Sequence, residues 1–451
     1  MRYYKLISIN LLLLLTVSCS QNRTLESVLQ LAGENRSELE KVIDHYSSSQ
    51  NDSLKLRAAM FLIENMPGHY SHLYPERANA YYAELDTSVS IEYDKNKNKQ
   101  IIESISDKYR KGGLGETVED ARVITAQFLI DNIDRAFDIW QNGEWATHLN
   151  FDEFCEYLLP YKGAELQPLD NWRSYASQMQ RGEIDTLHFC NLYRNSAFQA
   201  ATVVSKKIIE LNRQDYPEGG TNQIPVNNLK TIAKMPFGSC RDYTVLALSV
   251  MRSKGIPVME DFTPQWPFQP QSHSWNIVLT NKGKNMVFSA GTSSPGELHN
   301  PDARMAKVFR KCYAINKEIM KIHLTGEPIP STFADFHLRD VTDEYMAVSN
   351  KDGVIPFSAP FVITPTDEIK RYVADNSQLQ TMTVCRKYFI AAHCYTVGNR
   401  MKGGKFEAAN HTDFRDAKIV HEIPDFTVQS GSVYCDTLAT PYRFWRYFGA
   451  T

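Results

Sequence analysis

The spacing of hydrophobic residues changes twice along this chain, and that change limits the folds open to it. Between Leu25 and Trp145, leucine, valine and isoleucine recur every three or four residues with charged residues between them, as in amphipathic helices. After Phe151 helical and β-rich stretches are mixed, and beyond Pro328 short aromatic and β-branched segments alternate with turn residues. We therefore predict a multidomain α+β protein. Its domains are a helical domain (25–150), an α+β domain (151–325) and a β-sandwich (326–451).

The N-terminus has the features of an export signal. A short basic region, "MRYYK", precedes the apolar run "LISINLLLLLTV", which is too short to span a bilayer. The run ends at "SCS", and a cysteine in this place resembles the cleavage and lipidation site of a bacterial lipoprotein. The resemblance implies a signal peptide (1–18), a lipid anchor on Cys19 within a tether (19–24), and export to the periplasmic or cell-surface side of a bacterial membrane. A plain secretory signal with a chance cysteine is the alternative interpretation.

Composition and charge narrow the class of partner. The net charge is −3 and no run of Lys and Arg occurs, which argues against a nucleic-acid-binding surface. No other segment is long and apolar enough to cross a membrane, so we expect membrane contact only through the lipid anchor. The eight cysteines include no C-x-x-C pair and no Cys/His set with zinc spacing, so we expect no metal and no cofactor.

One cysteine stands where a reactive thiol would be expected. In "GSCRDYTVLALSVMRSKGIPV", Cys240 should be the first residue of a helix, where backbone N–H groups and the helix dipole favour the thiolate. The apolar spacing predicts that one face of this helix, from Cys240 through Thr244 to Met251, lies inward. In "HSWNIVL", His273 should begin a strand and share a face with Trp275.

Two interpretations of this pair remain open from the residues alone. Cys240 and His273 could be a nucleophile and its base, if the strand packs against the start of the helix. They could equally be a buried, inert thiol and an ordinary surface histidine, because cysteine is among the residue types most often buried.

The wider pattern resembles the transglutaminase-like (papain-like) superfamily. It consists of G-x-C, an alanine seven residues after the cysteine, R-x-x-G-I-P, and H-x-W before a strand. The matching residues are Gly238, Cys240, Ala247, Arg252, Gly255, Ile256, Pro257, His273 and Trp275. The resemblance implies a papain-like α+β fold for residues 151–325, Cys240 as nucleophile, His273 as base, and a peptide or protein amide as substrate.

One part of the superfamily pattern is missing. An acid normally ends the strand after the histidine strand and orients the imidazole, but residues 286–291 read "MVFSAG". Ser289 is the nearest polar residue and is our candidate for the orienting position, since Glu297 lies beyond a proline-containing turn. The rival hypothesis is therefore a catalytically inactive surface protein that binds peptide or glycan.

The C-terminal segments "GGKFEAANHTDF" and "PYRFWRYFG" resemble strands of a discoidin-like, galactose-binding-type β-sandwich. Such a domain usually continues with another strand or two after the last of these segments. The resemblance therefore implies a sandwich over residues 326–451 that is incomplete, with glycan as an alternative ligand.

Overall fold

The protein is described by a computed structural model. It describes residues 24–73, 76–90, 92–111, 115–179, 184, 186–190, 193–210, 214–215, 228–264, 272–297, 308–317, 319–320, 335–345, 374–375, 383–386, 405–411, 414–422, 431–434 and 444–448. The predicted signal peptide and Cys19 lie outside these residues. The chain divides into two compact units. The first unit runs to Glu260 and includes Trp275–Glu297, and the second unit comprises Asp261–Ser274 and the chain from Leu298 onward.

The N-terminal part of the first unit is helical, as the hydrophobic spacing predicts. Its longer helices are α1 (Arg36–Ser47), α2 (Ser53–Glu64), α3 (Glu76–Ser88), α4 (Lys95–Arg110) and α5 (Ala126–Asn142). Side-chain caps fix two of the starts: Asp94 accepts from the backbone of α4, and Thr125 accepts from Phe128 N–H in α5. The apolar faces of these helices are buried, as expected for residues spaced one helical turn apart.

A pair of short antiparallel strands lies among these helices. These strands were not predicted from the sequence. Strand β1 (Tyr70–Leu73) pairs antiparallel with β2 (Glu116–Glu119), although α3 and α4 lie between them in the chain. The approach to β1 turns at Gly68, whose φ of +85° is unfavourable for residues with a side chain. Pro67 and Gly68 therefore lie where the chain passes from a helix into a strand.

Further helices follow and surround one central helix. They are α6 (Phe151–Tyr157), α7 (Trp172–Gln178), α8 (Ala197–Glu210), α9 (Leu229–Lys234) and α10 (Cys240–Ser253). Helix α10 is buried at every position from Thr244 to Ser253. The predicted inward face was therefore too narrow, because neighbouring helices and strands cover this helix on all sides. Its apolar residues join one cluster with residues of α7, α8, α9 and the strands β6 and β7.

A five-stranded sheet has the strand order β7-β6-β5-β8-β9. Its strands are β5 (Val258–Thr263), β6 (His273–Leu279), β7 (Asn285–Phe288), β8 (Phe309–Lys311) and β9 (Leu338–Asp340). β6 and β7 pair antiparallel, with Asn276 opposite Phe288. β8 pairs antiparallel with both β5 and β9. Two further short strands, β3 (Gln214–Asp215) and β4 (Phe237–Gly238), form a parallel pair just before α10.

The remaining described elements of the second unit are one short helix and further strands. A four-stranded sheet has the order β10-β15-β12-β13, and β11 pairs antiparallel with β14. The elements are α11 (Thr342–Tyr345), β10 (Ala374–Asp375), β11 (Thr383–Arg386), β12 (Lys405–Ala409), β13 (Lys418–Glu422), β14 (Gly431–Tyr434) and β15 (Phe444–Phe448). The prediction of a mixed α and β protein with a helical N-terminal region is confirmed. The predicted boundaries and domain families stay predictions.

Candidate active site at the start of helix α10

Cys240 is the first residue of α10, which confirms the predicted position of the thiol. The residue before it, Ser239, caps the helix, because its Oγ accepts from the Asp242 N–H at 3.4 Å. The Asp242 carboxylate in turn accepts from the Ser239 N–H and hydroxyl, both at 2.8 Å, which completes a capping box. This local network fixes the direction in which the chain enters the helix, and with it the position of Cys240. The cysteine is half-buried and forms no disulfide.

Gly238 has a steric reason to lack a side chain. A Cβ placed on Gly238 would come within 3.2 Å of the Asp242 Cβ, closer than nearly all such contacts. A larger residue would therefore disturb the capping box that positions Cys240. A side chain at this position would require Asp242 to shift by a few tenths of an ångström, whatever the role of the thiol.

The R-x-x-G-I-P part of the motif forms the end of the same helix. Gly255 adopts a φ of +83°, and the Ile256 N–H donates to the Met251 carbonyl at 3.0 Å, which is a Schellman C-cap. The buried Arg252 guanidinium donates to the carbonyls of Lys162 and Val258. Burial lowers the pKa of Arg252 to about 10, so it remains charged at neutral pH. These residues hold the helix in place and are not near its first turn.

Strand β6 packs against the first turns of α10. The side-chain amide of Asn276 donates to the Thr244 carbonyl at 3.1 Å. Along the strand, Asn276 lies between Trp275 and Ile277, whose side chains point to the opposite face. Val278 of the same strand belongs to the buried cluster that contains Val245 of the helix. The part of β6 that lies in the first unit therefore contacts the helix that Cys240 begins.

His273 is half-buried and is the first residue of β6, as predicted. It belongs to the second unit, whereas Cys240 belongs to the first. The pairing of the imidazole with the thiol stays a prediction.

Ser289 follows β7 directly, and β7 is the strand that pairs with β6. Its N–H donates to the Ser293 Oγ at 3.0 Å, and its carbonyl accepts from the N–H groups of Thr292 and Ser293. These bonds form a tight turn at the end of β7. The next glycine in the turn, Gly291, lies against the ring of Tyr243 in α10, since a Cβ there would be 2.9 Å from the ring. The turn that carries Ser289 is therefore packed on the first turn of the cysteine helix.

Glu297 closes the proline-containing turn after β7. Its carboxylate accepts from the Ser294 N–H at 2.9 Å. The choice of Ser289 over Glu297 as the orienting residue stays a prediction.

A charged cluster beside α10 was missed by the sequence reasoning. Arg241, the residue after Cys240, donates to the Glu165 carbonyl at 3.2 Å. The Glu165 carboxylate lies 3.3 Å from His69 Nδ1 and 3.5 Å from Lys162 Nζ, and it accepts from the Tyr70 N–H. No sequence motif links these residues, because they come from three distant segments. His69 and Tyr70 lie at the start of β1, Lys162 and Glu165 in the loop before α7, and Arg241 in the first turn of α10.

The electrostatics of this cluster keep Glu165 ionised. Burial alone would raise the pKa of Glu165, but the hydrogen bond from His69 and the positive charge of Lys162 outweigh it and lower the pKa to about 2. A fixed negative charge therefore lies beside the backbone contact of Arg241, one residue from the candidate nucleophile. Burial also lowers the pKa of His72 on β1.

The other described cysteines lack this setting. Cys155 is buried within α6, and burial together with the charge of Glu156 raises the pKa of its thiol, which makes it unreactive. Cys190 and Cys312 are half-buried and form no disulfide. In the part of the chain that the structure describes, Cys240 is the one cysteine at the first position of a helix.

Among the described residues, no three His, Cys, Asp or Glu side chains are grouped so that they could hold a metal ion. None of the described helices combines the length and the apolar character needed to span a bilayer.

Comparison with known proteins adds no family. No protein-family model matches the chain, and no curated protein matches it. The resemblance to transglutaminase-like and discoidin-like domains therefore rests on the residues quoted above.

Proposed function

We propose that this protein is an exported, lipid-anchored, transglutaminase-like cysteine amidase that hydrolyses peptide or protein amide bonds. The observation that carries the proposal is the placement of Cys240. It is a half-buried thiol at the capped N-terminus of a helix whose remaining turns are buried. The backbone N–H groups of the first turn and the helix dipole at such a position favour the thiolate.

The reaction would proceed in two balanced steps. The Cys240 thiolate attacks the amide carbonyl carbon, the C–N bond breaks, and the amine leaves with a proton from the His273 imidazolium. Water then gives a proton to His273 and attacks the thioester, which releases a carboxylic acid and restores the thiolate and the imidazolium. If a primary amine replaced water, the product would be a new amide, as in cross-linking.

A second candidate function rests on the turn after β7. Residues 286–291 carry no carboxylate, and orienting acids of triads account for large parts of the turnover rate. This observation favours an inactive surface protein that binds peptide or glycan through the same region. We propose instead that Ser289 occupies the orienting position, because its turn packs on the start of α10.

The product distinguishes these functions. With denatured casein as substrate and a labelled primary amine present, we expect new amino termini or released ammonia without incorporation of the amine. The Cys240→Ala variant should form no product, while Cys190→Ala, which removes another half-buried thiol, should retain the activity. Product formation by Cys240→Ala would contradict the proposal, and incorporation of the amine would replace hydrolysis by cross-linking.

Localisation has a test of its own. We expect the wild-type protein to pellet with membranes after a high-salt wash, because acyl chains contribute about 0.8 kcal/mol per buried methylene and do not depend on salt. Cys19→Ala should move the protein to the soluble fraction without changing its circular dichroism spectrum. A variant that still pellets with the washed membranes would show that the anchor is not on Cys19.

A further inference from the structure

A small pocket lies in the first unit, away from α10. Its walls come from α5 and from the segment that begins α7, and its volume is about 100 Å³. A cavity of about 150 Å³ holds benzene, so this pocket has room for a polar molecule of a few heavy atoms. Arg173, Asn132 and Trp172 line its buried side, and Arg135 and Asp131 lie on its exposed side.

Arg173 places an incompletely satisfied cation at this pocket. The residue is 5% exposed, and its guanidinium donates to Asn132 Oδ1 at 2.7 Å and to the carbonyls of Leu158 and Pro160. Its Nη1 is buried and has no hydrogen-bond partner. Among the described residues no carboxylate forms an ion pair with Arg173. Burial lowers the pKa of Arg173, and repulsion from Arg252 and Arg135 lowers it further, so a nearby anion would stabilise the charged form.

Asp170, which lines the same pocket, has a carboxylate oxygen that lacks a hydrogen-bond donor. One carboxylate oxygen, Oδ1, is buried and has no hydrogen-bond partner. Burial raises the pKa of Asp170 to about 6. A buried acceptor without a donor costs about 1–3 kcal/mol, and a ligand N–H would remove that cost.

We infer that this pocket binds a small zwitterion of the α-amino acid type, with its carboxylate at Arg173 and Arg135 and its ammonium group at Asp170. A simple anion would be repelled by Asp170 and Asp131, and a simple cation by the two arginines. A zwitterion complements both pairs of charges. The site is independent of the amidase function proposed for Cys240.

Binding can be measured on the full chain by isothermal titration calorimetry with glycine and L-alanine. We expect saturable binding of both, and none of acetate or methylamine at the same concentrations, because each carries only one of the two charges. Arg135→Gln and Asp170→Asn should each weaken binding about tenfold or more, which corresponds to one charge-assisted hydrogen bond. Arg173 itself also donates to four main-chain and side-chain acceptors, so these two positions give the cleaner variants.

Arg122→Gln is the matched control, since Arg122 is an exposed arginine of the same unit outside the pocket. It should leave the affinity unchanged. Acetate that binds as tightly as glycine would overturn the inference in favour of a plain anion site. The absence of heat with both amino acids at millimolar concentration would overturn it in favour of a pocket that holds only water.

Discussion

Asp120→Asn should lower the free energy of unfolding of the first unit by about 3–5 kcal/mol, the usual cost of breaking a buried ion pair by removing one charge. The Asp120 side chain is fully buried and lies 2.6 Å from Lys162 Nζ, whose side chain is 6% exposed. The carboxylate also accepts hydrogen bonds from the hydroxyl groups of Tyr161 and Ser71. The amide would leave the Lys162 ammonium buried with a weaker partner.

The buried group around Asp120 and Lys162 joins three parts of the chain, so we expect its loss to have a large effect on stability. The Asp120 N–H donates to the His69 carbonyl at 2.8 Å, and Lys162 Nζ donates to the Tyr70 carbonyl at 2.7 Å. Asp120 thus connects the end of β2 to β1 and to the loop that contains Lys162. Urea unfolding followed by circular dichroism gives the measurement, with the transition of the first unit analysed separately.

An exposed pair provides the comparison. Asp107 and Arg110 lie 3.0 Å apart with side chains 68% and 48% exposed, so Asp107→Asn should cost only about 0–1 kcal/mol. The double variant Asp120→Asn/Lys162→Gln should lose less stability than Asp120→Asn alone, because it removes both charges of the buried pair. Equal losses for Asp107→Asn and Asp120→Asn would show that the buried pair is not essential to the fold.

The local elements of the candidate site could be predicted from the sequence. Ser239, Gly255 and the apolar run between them define a helix with a cap at each end, and the structure has α10 at these positions. The strand that His273 begins also has the predicted bounds, although residues 275–279 are all buried and do not alternate between a buried and an exposed face. These signals are local, so a single sequence contains them.

Contacts between distant segments could not be predicted in the same way. The β1–β2 pair is separated by two helices, and no periodicity in either strand of four residues identifies its partner. The Glu165 cluster beside Arg241 also depends on contacts between distant segments. Nothing in the sequence predicts it, since an isolated glutamate in a loop is most often solvated. The burial of α10 on all sides was missed because apolar spacing marks only one face of a helix, whereas the polar residues Ser249 and Arg252 are buried as well.

We propose that Cys240 is an activated thiol whose reactivity depends on His273. An ordinary cysteine has a pKa near 8.5, so its alkylation rate falls about tenfold for each pH unit below that value. A thiolate stabilised by the helix start and an imidazolium keeps reacting at lower pH, although it is intrinsically a weaker nucleophile. The pH profile of alkylation therefore separates the two cases better than a rate at one pH.

The orienting position gives a second arm of the same experiment. A neutral acceptor stabilises an imidazolium less than a carboxylate does. If Ser289 occupies the orienting position, Ser289→Asp should move the midpoint of the Cys240 profile to lower pH and raise the amidase rate. An unchanged midpoint would remove Ser289 from the site and favour the peptide- or glycan-binding function.

The most direct test is the rate of Cys240 alkylation by iodoacetamide between pH 5 and pH 9, with the label located by mass spectrometry. We predict a midpoint well below 8.5 and, at pH 5.5, a rate about tenfold above that of free cysteine in solution. His273→Ala should return the midpoint toward 8.5, whereas His45→Ala, which removes an exposed histidine of α1, should not move it. A Cys240 profile that matches free cysteine in the wild type, or that is unaffected by His273→Ala, would contradict the claim.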